Sequence, residues 1–108
     1  MANTFKLKTR ANVGVTTALV YTVPAATTST IIGITLANVS GSSINVGVGI
    51  TRTSADNVSI LKNVPIPQGS TLEFMGGNKL VLEATDTLTA ISDLASSLDV
   101  SVTILEMT

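Results

Sequence analysis

Ile44-Asn45-Val46-Gly47-Val48-Gly49-Ile50-Thr51 alternates apolar and polar residues without a break. A period of two is the spacing of a β-strand whose side chains point by turns to core and solvent. The same period recurs on either side. Toward the N-terminus, Ile32, Ile34 and Leu36 alternate with Gly33 and Thr35; Leu19, Tyr21 and Val23 form an apolar set closed by Pro24; Phe5 and Leu7 alternate with Lys6 and Lys8. Toward the C-terminus come Val58 and Ile60, then Leu72 and Phe74 between Thr71, Glu73 and Met75. Leu80, Leu82 and Ala84 follow, then Leu88 and Ala90, and last Leu98, Val100, Val102 and Ile104.

Turn residues fill the gaps. Pro24-Ala25-Ala26, Asn38 to Ser43, Ser54 to Asn57, Pro65 to Gly69, Gly76-Gly77-Asn78 and Thr85-Asp86 punctuate the apolar runs. Gly76-Gly77 between two alternating runs predicts a β-hairpin. Helical periodicity is not sustained anywhere; Ser92 to Ser97 could form at most one short turn. Val, Ile and Thr, which suit a pleated surface, supply more than a third of the chain. The expectation is an all-β fold: a single antiparallel β-sandwich of jelly-roll or Greek-key type, with eight or nine short strands in one domain over 1–108.

Composition narrows the chemistry. The 108 residues include no Cys and no His, and 12% are charged, about half of the usual share. Without Cys there is no disulfide, thiolate metal site or Cys nucleophile. Without His the commonest general base and metal ligand are missing, and a Ser-His-Asp triad is impossible. The expectation is therefore that the chain is not an enzyme, with no catalytic, cofactor-binding or metal-binding residues and no cofactor. A formal net charge of -1 gives no footprint for nucleic acid. No apolar run approaches the length that spans a bilayer, and Met1 to Phe5 lack the apolar core of a signal peptide. A protein made in the cytoplasm, with no membrane or nucleic-acid partner, is expected.

Several features were weighed as sites. Lys6, Lys8 and Arg10 share one face of a strand, read as a solvated outer face. Glu73 and Glu83 flank the expected hairpin and should point outward as solvated carboxylates, not face each other across a cleft. Asp56-Asn57 and Asp86 read as turn formers. Gly47 and Gly49 either mark a bare sheet face for another chain or are small residues tolerated on a low-charge face. Lys62 to Ser70, with Pro65 and Pro67, reads as a crossover between sheets. Sugar sites favour aromatic platforms, and the three aromatic residues Phe5, Tyr21 and Phe74 all lie on expected core faces. Natural sheets guard exposed surface with charge, so a surface of Thr, Ser, Asn and Gly suits a subunit covered by partners.

Four segments together carry a resemblance: Val20-Tyr21-Thr22-Val23-Pro24-Ala25, Ile34 to Ser40, Asn63 to Leu72 with its Val-Pro-Ile-Pro-Gln-Gly-Ser-Thr-Leu run, and Lys79 to Asp86. This pattern resembles small all-β virion structural proteins of tailed bacteriophages, over roughly Leu19 to Leu88. The resemblance implies a non-enzymatic component of a virion present in many copies, either a capsid decoration (cement) protein or a neck or tail subunit. The implied partners are copies of itself, a trimer being one form, and the major capsid protein or neck and tail proteins. A carbohydrate-binding adhesin-like module is the next alternative.

Overall fold

The computed structural model describes residues 3–53, 56–74 and 79–108, and of Phe74 the backbone only. Nine strands follow one another: β1 (Asn3–Val13), β2 (Ala18–Thr22), β3 (Thr28–Asn38), β4 (Ile44–Thr51), β5 (Val58–Ile66), β6 (Thr71–Phe74), β7 (Leu80–Leu82), β8 (Thr87–Ser92) and β9 (Leu98–Met107). They form two antiparallel sheets. Sheet A has the order β1-β9-β3-β6, with β7 also on β3; sheet B has the order β2-β8-β4-β5.

That order is the nested pairing of a jelly roll. β1 pairs with β9, β2 with β8, β3 with β6 and β7, and β4 with β5. The first half of the chain thus lies antiparallel to the second, and this long double ribbon folds so that successive rungs alternate between sheets. β3·β9 and β4·β8 are the pairings made where the ribbon closes on itself. The sequence expectation of an antiparallel sandwich is met.

Both sheets turn one apolar face inward. Ile44, Val46, Val48 and Ile50 are all buried, as are Leu98, Val100, Val102 and Ile104. Leu88 and Ala90, a weaker pattern in the sequence, are fully enclosed on β8 between β2 and β4. Aliphatic side chains do nearly all of the filling; Tyr21 is the aromatic member of the core cluster.

β-Bulges interrupt the β1–β9, β2–β8, β3–β9 and β4–β5 pairs and displace the simple alternation. On β3 the register shifts between Ile31 and Gly33, so Ile31 takes the core position that the sequence pattern assigned to Ile32. On β2 it shifts between Leu19 and Tyr21, so Val20 and Tyr21 are both buried and Leu19 is exposed. A bulge inserts one residue, and every side chain beyond it changes face.

The larger corrections concern β1 and the expected hairpin. Phe5 and Leu7, read as core, are 70% and 65% exposed. Lys6, Lys8 and Arg10, read as a solvated outer face, lie opposite Ile104, Val102 and Val100 and so share the face turned toward sheet B, where Lys6 and Arg10 are still exposed to solvent and Lys8 is half-buried. The physical reason sits at Glu106, treated below. Gly76-Gly77 lies outside the described residues, but the strands before and after it both run antiparallel to β3. β6 pairs with Ile34 to Ala37, and β7 continues along the same edge at Ser29 to Ile31. They are two lengths of one interrupted edge strand, not the arms of a hairpin. Ser92 to Ser97 forms a turn closed by Ser92 Oγ and Ser97 Oγ at 2.6 Å, without a helical segment.

Candidate functional site

The outer face of sheet A is the most distinctive surface. Its rows follow from the register. Phe5 lies opposite Leu105, Leu105 opposite Thr30, and Thr30 opposite Val81. One bar of side chains therefore crosses four strands, and its two ends, Phe5 and Val81, are exposed. The next row, Leu7–Thr103–Gly33, adds another exposed leucine. Asn3–Met107–Thr28 and Thr9–Ser101–Thr35 flank these rows. On β1, β9 and β3 these four rows contain no charged residue. Glu73 of β6 continues the row of Thr35, and Asp99, opposite Ala37, stands in the row after it. Exposed apolar side chains scattered singly need no explanation, but a contiguous uncharged apolar set marks a contact surface.

Behind the bar, on the inner side of β1, lies a polar cluster. Tyr21 Oη donates to Glu106 Oε2 at 2.5 Å and lies 2.6 Å from Ser29 Oγ. Lys6 Nζ sits 2.7 Å from Glu106 Oε1, and Lys8 Nζ lies over the Tyr21 ring, 5.9 Å from its centre. Glu106 is buried, and a buried carboxylate is costly unless it is paired. Slipping β1 by one residue would bring Phe5 and Leu7 inside but would take away the lysine that Glu106 needs. Lys6 and Lys8 can face inward at this edge because their apolar stems cover the rim of the core while the ammonium group reaches a partner. The hydrogen bond from Lys6, then that from Tyr21, holds the Glu106 carboxyl below its ordinary value. Burial, then the bond to Glu106, pushes the Tyr21 phenol up to about 12.

A second cluster closes the far end of the sandwich. Arg52 Nε donates to Asp86 Oδ2 at 3.1 Å, and Arg52 Nη2 pairs with Glu83. Asp86 Oδ2 also accepts from the Glu83 backbone N–H at 3.0 Å, the turn-forming role expected of it. Glu83, then Asp86, raises the Arg52 pKa. Nothing in the sequence around Arg52 marks it for this role. It clasps the end of β4 to the turn between β7 and β8. Glu73 is exposed on β6 and Glu83 follows β7, so the two do not face each other. Among the described residues no group of three or more acidic side chains is placed to hold a metal ion.

Sheet B carries a groove of about 430 Å3 over Gly47 and Gly49, lined in part by Ser59, Leu61, Thr89 and Ile91. A Cβ on Gly47 would stand 3.2 Å from Ile91 Cγ2 and 3.3 Å from the Leu61 carbonyl; on Gly49 it would stand 3.2 Å from the Val58 carbonyl. The bulges of the β4–β5 pair turn these carbonyls toward the glycines. The close neighbour is therefore this chain's own β5.

The remaining sequence features are structural. Of the crossover expected over Lys62 to Ser70, Lys62 to Ile66 is the end of β5, paired with β4, and Pro67 to Ser70 alone carries the chain from sheet B to β6 in sheet A. Asn38, whose role the sequence did not disclose, anchors that crossover. Its Nδ2 donates to the carbonyls of Ser42, Ile66 and Pro67, and its Oδ1 accepts from Ser40 N and Oγ. An Asn at the end of a strand before a Ser-rich loop was the available signal. Of the aromatic residues read as core, Tyr21 is buried, Phe5 is exposed, and the Phe74 side chain lies outside the described residues.

The fold and surface define a jelly-roll sandwich with exposed apolar side chains, Phe5, Leu7 and Val81, on one sheet face. No protein-family model matches the chain, and no curated protein matches it. Among solved structures, a chain from the one titled "Bacillus endospore appendages form a novel family of disulfide-linked pili" is similar, with a TM-score of 0.59 and 13% identity. The similarity covers 99% of this chain and 87% of that one, and is a likeness of fold.

Proposed function

We propose that this chain is a non-enzymatic structural protein that works in many copies, as a capsid decoration (cement) protein of a tailed-bacteriophage virion. The observation that carries the reading is the outer face of sheet A, crossed by the bar that ends in the exposed Phe5 and Val81 and followed by the exposed Leu7. Such a face is a liability on an isolated molecule and an asset on a subunit covered by neighbours. The strand and turn segments from Leu19 to Leu88 supply the virion part of the proposal through their resemblance. A small interface repeated around a symmetric particle gives avidity without high affinity at each contact. The test is to locate the chain on purified particles by electron microscopy and then to strip it. Stripped particles should lose resistance to heat or osmotic shock. Particles that contain no copy of the chain would overturn the proposal. Particles of unchanged resistance that fail to retain tails would move the subunit to the neck.

The likeness of fold to a pilus chain favours a second reading, a subunit of a fibre or appendage. That structure's title describes disulfide-linked pili, whereas this sequence has no Cys, so any such assembly here would not be disulfide-linked. Negative-stain microscopy of the concentrated protein separates the readings. Extended filaments would support the fibre; discrete particles would count against it.

A further inference from the structure

At the opposite end of the sandwich from Arg52, the loop between β1 and β2 meets the turn between β8 and β9 around a cavity of about 300 Å3. Two backbone hydrogen bonds pin its walls together. Ser92 N–H donates to the Gly14 carbonyl at 2.9 Å, and Ser97 N–H donates to the Val13 carbonyl at 3.1 Å. Gly14 packs so closely that a Cβ on it would stand 3.2 Å from both Ala95 Cα and Ser96 N. Loop and turn are thus held together by the fold itself. A cavity formed in advance spares a ligand the cost of ordering its site.

The polar lining has one sign. Arg10, Asn12, Thr16, Thr17 and Ser96 line the cavity, and among the described residues no carboxylate does. The acids before and after the turn are engaged elsewhere. Asp93 Oδ1 accepts from Asn45 N–H and Asp99 Oδ1 from Asn12 N–H, each at 3.0 Å. The chain has two arginines. Arg52 is clasped by Glu83 and Asp86, whereas Arg10 has no acidic partner among the described residues. Nor do the side chains of Asn12, Thr16, Thr17 and Ser96 make a hydrogen bond among the described residues. A lone exposed arginine is ordinary surface. Here it shares a pinned cavity with four uncommitted neutral groups.

These groups define a ligand. A guanidinium offers paired N–H donors in a planar fork that fits the two oxygens of a carboxylate. The site holds a single cation, so a monoanion is matched, while a doubly charged phosphate would leave one charge without a counterpart. The hydroxyls of Thr16, Thr17 and Ser96 and the amide of Asn12 can each donate and accept, which suits hydroxyl groups on the body of the ligand. Val15 and Ala95 add apolar contact for its carbon atoms. We propose that this cavity binds a small hydroxylated monocarboxylate, of the class of sugar acids, with Arg10 holding the carboxylate and the four neutral groups its hydroxyls. The proposal does not depend on the reading of the chain as a many-copy subunit.

Titration of the isotope-labelled full chain with glucuronate, glucose or inorganic phosphate, followed by amide NMR at low salt, tests this. Arg10→Gln removes the cation from the cavity, and Lys62→Gln on β5 is the control for loss of a cation elsewhere. Both positions are exposed, and the spectra themselves report whether each variant keeps its fold. The expected result is saturable, millimolar binding of glucuronate, with shifts concentrated at Gly14 to Thr17 and at Ala95 and Ser96. Binding should be at least ~10-fold weaker for glucose, and at least ~10-fold weaker for glucuronate in Arg10→Gln, because each change removes one side of a charge-assisted contact. Phosphate should bind more weakly than glucuronate, and Lys62→Gln should bind as the wild type does. Absence of saturable shifts with glucuronate would overturn the proposal, as would shifts centred away from this cavity. So would full affinity in a folded Arg10→Gln variant, an equal loss in Lys62→Gln, or glucose binding as tightly as glucuronate. Tighter binding of phosphate would overturn the assignment to a monocarboxylate.

Discussion

At the scale of single residues, the cluster around Glu106 ties stability to pH at both ends. Its carboxyl has a lowered pKa in the folded chain, against an ordinary value of 4.5. The stability it contributes is complete above that ordinary value and is lost as pH falls through the lower folded one. Tyr21 has the opposite sense. Its phenol rises from 10.0 to about 12, so its contribution is complete below pH 10 and is lost as pH climbs from 10 toward 12. Tyr21→Phe removes a donor from a buried carboxylate and should cost about 1–3 kcal/mol at pH 7 in urea unfolding. It should also flatten the alkaline decline between pH 10 and 12; an identical decline in both proteins would remove Tyr21 as its source. Lys6→Met should shrink the acid-side loss, because the lysine is the main cause of the lowered Glu106 value. Little of this cluster was legible in the sequence. Glu106 stood near the chain end with nothing to mark it as buried, and its partners Tyr21 and Lys6 lie 85 and 100 residues away. Alternation alone placed the apolar Phe5 inward, because pattern ranks apolar over charged and cannot see a carboxylate waiting on the neighbouring strand.

At the scale of elements, the legible strands were those enclosed on both sides. β4 and β9 lie between other strands and face the opposite sheet along their length, so their apolar residues alternate as written. β1, β2 and the β6–β7 edge stand at the margins, where burial is partial and the alternation loosens. The interior strand that also departs, β3, does so at its bulge. The two glycine-containing strands make an instructive contrast. Gly33→Ala adds a Cβ in open space and relieves the flexible backbone, so it should be neutral or stabilising by up to about 1 kcal/mol. Gly47→Ala pushes a methyl group against the Leu61 carbonyl, which is held in the β4–β5 pair, and should cost about 1–3 kcal/mol. Chemical denaturation of the two variants compares them directly. A harmless Gly47→Ala would mean that β5 gives way easily, and the glycines would then be free to serve a partner instead.

At the scale of the whole molecule, the nested pairing predicts unequal stability across one fold. β9 and β4 are each paired on both flanks, and their inward side chains fill the core. β1 is different in kind. From Asn3 to Asn12 none of its side chains is buried, and Val13 is its sole member of the core cluster. What holds it is the ladder to β9, the Lys6–Glu106 pair, Lys8 over Tyr21 and the bond from Asn12 N–H to Asp99. Apart from the Lys6–Glu106 pair, whose carboxylate is buried, these ties lie at the exposed edge, where a cation–π contact contributes about 0.5–1 kcal/mol. A long strand with so little apolar anchorage should open locally at a free energy well below that of global unfolding. Native-state hydrogen exchange tests this. Amides of β1 that bond to β9 should exchange by an opening that barely responds to urea. Those joining β9 to β3 should exchange only with global unfolding. Equal protection and equal urea dependence on both flanks of β9 would make β1 part of the cooperative core, and its few polar ties would then be stronger than their exposure suggests.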